Sequence, residues 1–444
     1  FSKEDFQMAQ VRIGHSLSEG ENMYRSVRKL SVQKWLVKNN IPCSLSKVPN
    51  IAILGSGGGE RAMVGMLGSL SKMGEQGLLD AALYMSGVSG STWCMASLYE
   101  KANWSSDMKQ IKVVAERLGH SSVSLKDKVW KLKKYHQTND NFSLTDVWAA
   151  LLVTTIVKKI DESTLSNYQT CHDQDPYPIY TVIDQDCKYE HLLQTFFELT
   201  PHEVGYTLAG AFVETSSFGS IFNKGVLTTP KPEMDMTYLQ GLCGSALADV
   251  EVILTTLKEW LKGMFYISEF VEWMLKSIYA WGANYNFLHK MNGRPVDFML
   301  LKRKTTHFED AGLLENSPYM SALRAEREID LIISFDFSAG NPMEVRTKEC
   351  KKLDISFPAI NYTKTDKDFY VFKGLKKAPT VIHIPLFNVA NCGSELEAYR
   401  DKYRTFQGAY SPEMIEDLMK KAGENVLNNK EKLLREIAGI VQQK

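Results

Sequence analysis

Ser89 lies among small residues, Gly87-Val-Ser-Gly-Ser91, just after a short apolar run, Ala82–Met85. A hydroxyl at a tight strand-to-helix turn is presented to substrate, and its neighbours must be small because the backbone there is strained. The pattern suits a nucleophile elbow, although the usual motif ends in Gly where this chain has Ser91. Upstream, Gly55-Ser-Gly-Gly-Gly59 follows another apolar run, Ile51–Leu54, and enters a helix-like pattern reaching about Met73. Consecutive glycines at a helix start aim bare N–H groups at one point, and such donors stabilise an oxyanion. Together the two turns suggest acyl transfer. Two other readings stay open. Gly57-x-Gly59-x-x-Ala62 also fits a dinucleotide fingerprint, which wants an acid at the end of the second strand. Asp80 instead precedes that strand, and Ser89 occupies the turn after it. The glycines could also make only a tight turn, leaving a non-catalytic lipid- or nucleotide-binding protein.

A serine hydroxyl needs a base in hydrogen-bond reach. The nine histidines are 15, 120, 136, 172, 191, 202, 289, 307 and 383, and none sits in a base motif. A Ser-His-Asp triad would draw on His289, His307 or His383, and nothing local selects one. The alternative is a Ser–Asp dyad, in which a buried carboxylate takes the hydroxyl proton directly. Arg61 sits at the helix start, where the dipole disfavours a cation, which points to a functional reason for it.

Gly55-Ser-Gly-Gly-Gly59 with Arg61-Ala-Met63, followed by Gly87-Val-Ser-Gly-Ser-Thr-Trp93, resembles the cytosolic (group IV) phospholipase A2 family. The similarity continues through Pro176-Tyr-Pro178, Ser216-Ser-Phe-Gly-Ser220, Gly244-Ser-Ala246 and Asp330–Ser338, and so spans nearly the whole chain. It is closest to the gamma-type branch, which has no C2 domain. The resemblance implies an α/β, patatin-like catalytic fold: a central mixed sheet flanked by helices, with a cap or lid insertion, as one catalytic domain over residues 1–444. It implies Ser89 as nucleophile and Asp310, within Thr306-His-Phe-Glu-Asp-Ala-Gly-Leu313, as its base, with Asp336 the runner-up by position. An isolated Asp-x-Gly is more often a turn. Gly58 and Gly59 would hold the oxyanion, and Arg61 and Arg327 the substrate phosphate. Glu60 departs from the family pattern, which has an apolar residue there. The implied activity is calcium-independent release of fatty acid from glycerophospholipids and lysophospholipids, with acyl transfer, at a membrane surface, without metal or cofactor.

The elements that would carry these residues read as strand, glycine turn, helix, strand, serine turn, helix. Further strands are expected at Ile179–Ile183, 329–337 and Pro379–Ile384. Residues 4–40 read as two basic-leaning helical patterns joined near Gly14–Gly20. The second could lie on a membrane, though packing on the core is the simpler expectation. Residues 105–170 read mostly helical, with Ser143 or Thr145 as a cap and Lys126–Lys134 as a solvated basic face. Residues 252–282 are densely aromatic, including Trp260 and Trp273, and suit either an interfacial lid or a core helix. Lys302-Arg-Lys304 could meet anionic headgroups or be a solvated loop. Ser411-Pro-Glu413 is a helix start, opening a long amphipathic helix with a break expected near Asn428.

The chain is long enough for a large core, with 444 residues of which 44% are apolar. Its formal net charge of zero gives no support for nucleic-acid binding. The cysteines are odd in number, seven, and scattered without a Cys-x-x-Cys pair, which argues against a disulfide framework or zinc site and for a reducing, cytosolic setting. Cys94 is expected to be a small buried residue. No run of about 18 apolar residues appears, so no spanning helix is expected. The start, Phe1-Ser2, reads as a fragment or trimmed form, and the end, Val441-Gln-Gln-Lys444, is not a Cys-a-a-X signal.

Overall fold

The computed structural model describes residues 9–169, 174–189, 195–245, 281–292, 296–339, 350, 355–360, 367–405 and 409–444. Its centre is a sheet built from runs that are apolar without alternation. Strands buried on both faces need such runs, and parallel strands between helical layers are the usual case. Here they are β1 (Ile51–Gly55), β2 (Tyr84–Gly87), β3 (Tyr177–Asp184), β5 (Leu331–Asp336) and β6 (Thr380–Pro385); β4 (Thr305–Asp310), mostly polar, joins antiparallel to β3. Five of them run parallel in the order β3-β2-β1-β5-β6. Antiparallel strands Phe196–Leu199, Glu203–Tyr206 and Ala211–Glu214, then Arg12–Ile13, extend the β3 side, and Tyr370–Phe372 closes the other.

Helix α1 (Glu19–Lys38) is capped by Ser18 and buries Tyr24, Arg28, Val32, Trp35 and Leu36. It packs on the core as the simpler expectation had it, while Met23, Val27, Leu30 and Val37 face outward. Among the described residues of 4–40 it is the only helix; of the first pattern, residues 4–8 lie outside the described residues and Arg12–Ile13 forms the edge strand. Helix α2 (Glu60–Glu75) and α3 (Gly90–Tyr99) follow β1 and β2 directly. Helix α4 (Pro412–Gln443) starts at the Ser411 cap with Pro at its first turn and runs unbroken through Asn428. It lies so close to α2 that a Cβ on Gly68 would sit 2.4 Å from Met419 O.

Residues 109–157 are largely helical, and Ser143 forms a capping box with Asp146. The basic run there is a solvated face only in part: Lys126 and Lys133 are exposed, but Lys128 and Lys131 are buried. Lys131 is fully buried between Glu162 and Asp235, and Lys128 donates to Thr155 Oγ1 at 2.6 Å. These two side chains turn inward because acceptors on other elements, Asp235 above all, wait there, which a charge count on one helix cannot reveal. The aromatic stretch around Trp260 and Trp273 lies outside the described residues. No described helix is long and apolar enough to cross a membrane.

Candidate active site

In open α/β sheets, ligands bind beyond the carboxyl ends of the parallel strands. Both sequence-marked turns emerge there. After β1, Gly58 and Gly59 have φ of +155° and +60°, and Gly59 caps α2. After β2, Ser89 caps α3 with φ 53° and ψ −127°. A non-glycine residue so far from the populated regions carries about 1–3 kcal/mol of strain, held only by its surroundings. Those surroundings are specific. Val88 N donates to Gly55 O at 3.2 Å, and Ser91 Oγ donates to Ser56 O at 2.6 Å. A Cβ on Gly90 would lie 1.8 Å from Gly59 O, so only glycine lets the elbow close against the loop. No described residue accepts from Gly58 N or Gly59 N.

The register of β3 brings Asp310 to this corner. Val182 and Ile183 pair on one edge with Phe197 and Phe196. Their pairing with Asp310 and Glu309 must then use the opposite edge, the one where Tyr180 pairs with Gly87. Strands β2 and β4 therefore share one side of β3, end to end. Asp310 abuts the elbow only two residues further along, about 7 Å on strand geometry. Its carboxylate is fully buried and accepts from Gly312 N at 2.7 Å, while its own N–H donates to Ser245 Oγ at 3.0 Å. The Cys243 thiol lies in the same region: burial and the charge of Asp310 push its pKa up, against the Thr92 hydroxyl in the first turn of α3. No hydrogen bond joins Ser89 to Asp310 here; catalytic hydrogen bonds in ligand-free enzymes are often long and tighten on binding.

Asn316, which sequence reasoning missed, ties the two halves together. Its carbonyl accepts from Gly57 N at 3.0 Å, and its Nδ2 donates to Gly57 O at 3.2 Å. A Cβ on Gly57 would meet both Asn316 Oδ1 and Ser89 Cβ, and one on Gly312 would meet Asn316 Oδ1 and Asp310 Oδ1. The only signal was its place, in Asn316-Ser-Pro318 shortly after Asp310.

Arg61 is buried, with Nε donating to Phe337 O and Nη1 to Tyr403 O, each at 2.7 Å. Its Nη2 has no partner among the described residues and lies on the Gly58 side of the guanidinium. Glu60 accepts from Tyr410 N at 3.1 Å, and burial pushes its carboxyl up to about 7, against that bond and the charge of Lys158.

Arg327 does not suit a substrate contact. It is fully buried; Nε and Nη2 donate to Glu21, and Nη1 and Nη2 donate to Glu198. Nη1 also reaches Ser321 O at 2.7 Å, so the fork is spent on two buried carboxylates that need its charge. Two of the three candidate histidines have ring nitrogens facing aspartates away from Ser89, and the third, His289, has a buried Nδ1 with no partner among the described residues. His307 Nδ1 lies 3.0 Å from Asp186, whose hydrogen bond raises its pKa; His289 N donates to Asn286 O; His383 Nε2 lies 3.5 Å from Asp336. None of the described histidines bonds to Ser89. Arg303, in the Lys302–Lys304 basic cluster, faces Asp184 and Asp186 rather than open solvent. Cys94 is fully buried, and burial drives its thiol pKa far up, as befits a packing residue.

A family model described as the lysophospholipase catalytic domain matches residues 51–346. Human cytosolic phospholipase A2 gamma is 33% identical over 97% of this chain and 96% of its own length, and the mouse protein of that name 30% over 95% and 91%. Human cytosolic phospholipase A2 zeta is 30% identical over 95% of this chain but 61% of its own. Among solved structures, human GIVD cytosolic phospholipase A2 superposes with a TM-score of 0.84, covering 99% of this chain and 69% of that one at 23% identity. The sheet, its two turns and its helical layers are thus a known architecture.

Proposed function

The chain belongs to the cytosolic phospholipase A2 family and is a phospholipid-hydrolysing enzyme, and from that premise we propose that Ser89 and Asp310 form its catalytic dyad. Ser89 Oγ attacks the fatty-acyl carbonyl as Asp310 takes its proton. The N–H groups of Gly58 and Gly59 receive the charge that develops on the carbonyl oxygen. The alcohol or lysolipid leaves with the proton, and water, deprotonated by the same carboxylate, releases fatty acid from the acyl-serine. Arg61, whose Nη2 has no partner among the described residues, is the group we assign to the substrate phosphate. This chemistry calls for neither metal nor cofactor, and calcium-independent turnover is expected. Lysophospholipids are substrates by the same route, and a second lipid hydroxyl in place of water gives acyl transfer. The catalytic domain is one unit with its cap inserted after the first core strands, working from the cytosol on a membrane surface.

The observation that carries this reading is the β3 register, which sets Asp310 beside the elbow on the same strand edge. A relative lends a probe: human GIVD cytosolic phospholipase A2 has been solved with methyl gamma-linolenyl fluorophosphonate. Incubating this protein with a fluorophosphonate should put the adduct on the Ser89 peptide. Ser89→Ala should lose labelling and hydrolysis while still binding lipid vesicles, and Asp310→Asn should lose turnover. A Ser89→Ala protein that hydrolyses phospholipid at the parent rate ends the proposal.

A further inference from the structure

The glycine loop is fixed from below by a buried carboxylate that no step above uses. Asp336 ends β5, beside β1 on one side and β6 on the other. Its Oδ1 accepts from Ser56 Oγ at 3.2 Å and from Ser338 N at 3.0 Å, and also from the Ser338 hydroxyl. Its Oδ2 faces His383 Nε2 at 3.5 Å. Ser56 is the residue before Gly57. Its N donates to Phe335 O at 3.1 Å, and its Oγ accepts from Phe337 N at 2.7 Å. Its carbonyl takes the Ser91 hydroxyl from the far side of the elbow. Phe337 O in turn holds Arg61 Nε, and lies 2.7 Å from where a Cβ on Gly58 would stand. Ser56, Asp336 and His383 are each at most 6% exposed, so water cannot readily replace these bonds.

We propose that Asp336 is a positioning residue for the acylation step, aiming the Gly58 and Gly59 donors through Ser56 and seating Arg61 through Phe337. This rests on the preceding assignment of Ser89 and the two glycines. Ser56 is held at its N by Phe335 O, at its Oγ by Phe337 N and Asp336 Oδ1, and at its carbonyl by the Ser91 hydroxyl, and it is the last residue of the loop with a side chain to hold. From Gly57 to Gly59 the backbone is unrestrained by any Cβ, so its direction is set by its anchors: Ser56 at one end, the two Asn316 bonds on Gly57, and the start of α2 at the other. An oxyanion donor acts only when it points at the place where charge will develop, and loss of one such donor costs about 10²–10³ in kcat. A loop released at Ser56 keeps its N–H groups but loses their aim. His383 keeps Asp336 turned toward the loop by occupying its second oxygen.

The test uses the full chain and a short-chain aryl ester dissolved as monomers, with kcat expressed per active site titrated to completion by a fluorophosphonate. Ser56→Ala removes one oxygen and should lower kcat about 10–100-fold, somewhat less than the loss of a donor outright, with KM within about twofold. Asp336→Ala should do the same, and Asp336→Asn, which keeps an acceptor for Ser56 and Ser338, should restore most of the rate. Because the two residues act in one chain of bonds, the Ser56→Ala/Asp336→Ala double variant should be no slower than the worse single variant. If Asp336→Ala does not fold, Ser56→Ala alone decides. A full kcat per titrated site in Ser56→Ala, or additive losses in the double variant, overturns the positioning role. Ser89→Ala run alongside separates the two claims: if it is dead while Ser56→Ala is normal, only this inference falls, and if it is active, the dyad falls with it.

Discussion

Glu60→Gln tests the electrostatics of the glycine turn most sharply. The native carboxyl is buried at the first position of α2, and burial lifts its pKa from 4.5 to about 7. A carboxyl raised on folding holds its proton in the native state over a pH range where the unfolded chain has lost it. Stability therefore falls as pH rises from about 4.5 to about 7 and levels off above. An amide is neutral throughout, and its oxygen can still accept from Tyr410 N. The variant should thus gain little near pH 5, under about 1 kcal/mol, and about 3 kcal/mol at pH 8, where the charge is fully present and desolvated. For a chain of 444 residues, about 2.1 cal/mol/K per residue turns that gain into roughly 3 °C in melting temperature. Calorimetry of both proteins at pH 5, 6, 7 and 8 reads the difference directly. A gain independent of pH, or one that shrinks as pH rises, would refute the burial of a titrating carboxylate at this position.

Two further outcomes follow from contacts already described. Gly90→Ala drives a methyl group against Gly59 O, and should cost about 1–3 kcal/mol of stability while slowing kcat per titrated site, since elbow and loop separate; an unchanged kcat would mean the close approach is not needed for catalysis. Arg327→Met leaves Glu21 and Glu198 buried without their shared cation and should cost about 3–5 kcal/mol, read by urea unfolding. Whatever folded fraction survives should keep the parent KM for phospholipid, and a raised KM would return Arg327 to the substrate.

Some features were legible because a residue and its immediate neighbours suffice to require them. Small residues around Ser89 permit a positive φ, successive glycines permit the turn into α2, and Ser411-Pro412 starts α4 whatever lies beyond. Unbroken apolar runs marked the central strands because both their faces are covered. Errors arose where a distant partner decided the matter. Lys131 looked like surface until Asp235 met it, and the fork of Arg327, which the resemblance pointed at a substrate phosphate, is taken by Glu21 and Glu198.

By itself, then, the sequence determined the local backbone of both turns, since steric limits on φ and ψ act within a few residues. The juxtaposition of Asp310 with the elbow depends on which edge of β3 each strand takes, a choice made by long-range pairing over a sheet. The same holds for Asn316 beneath Gly57 and Asp336 beneath Ser56, because a hydrogen bond depends on distance in space and leaves no mark on spacing along the chain.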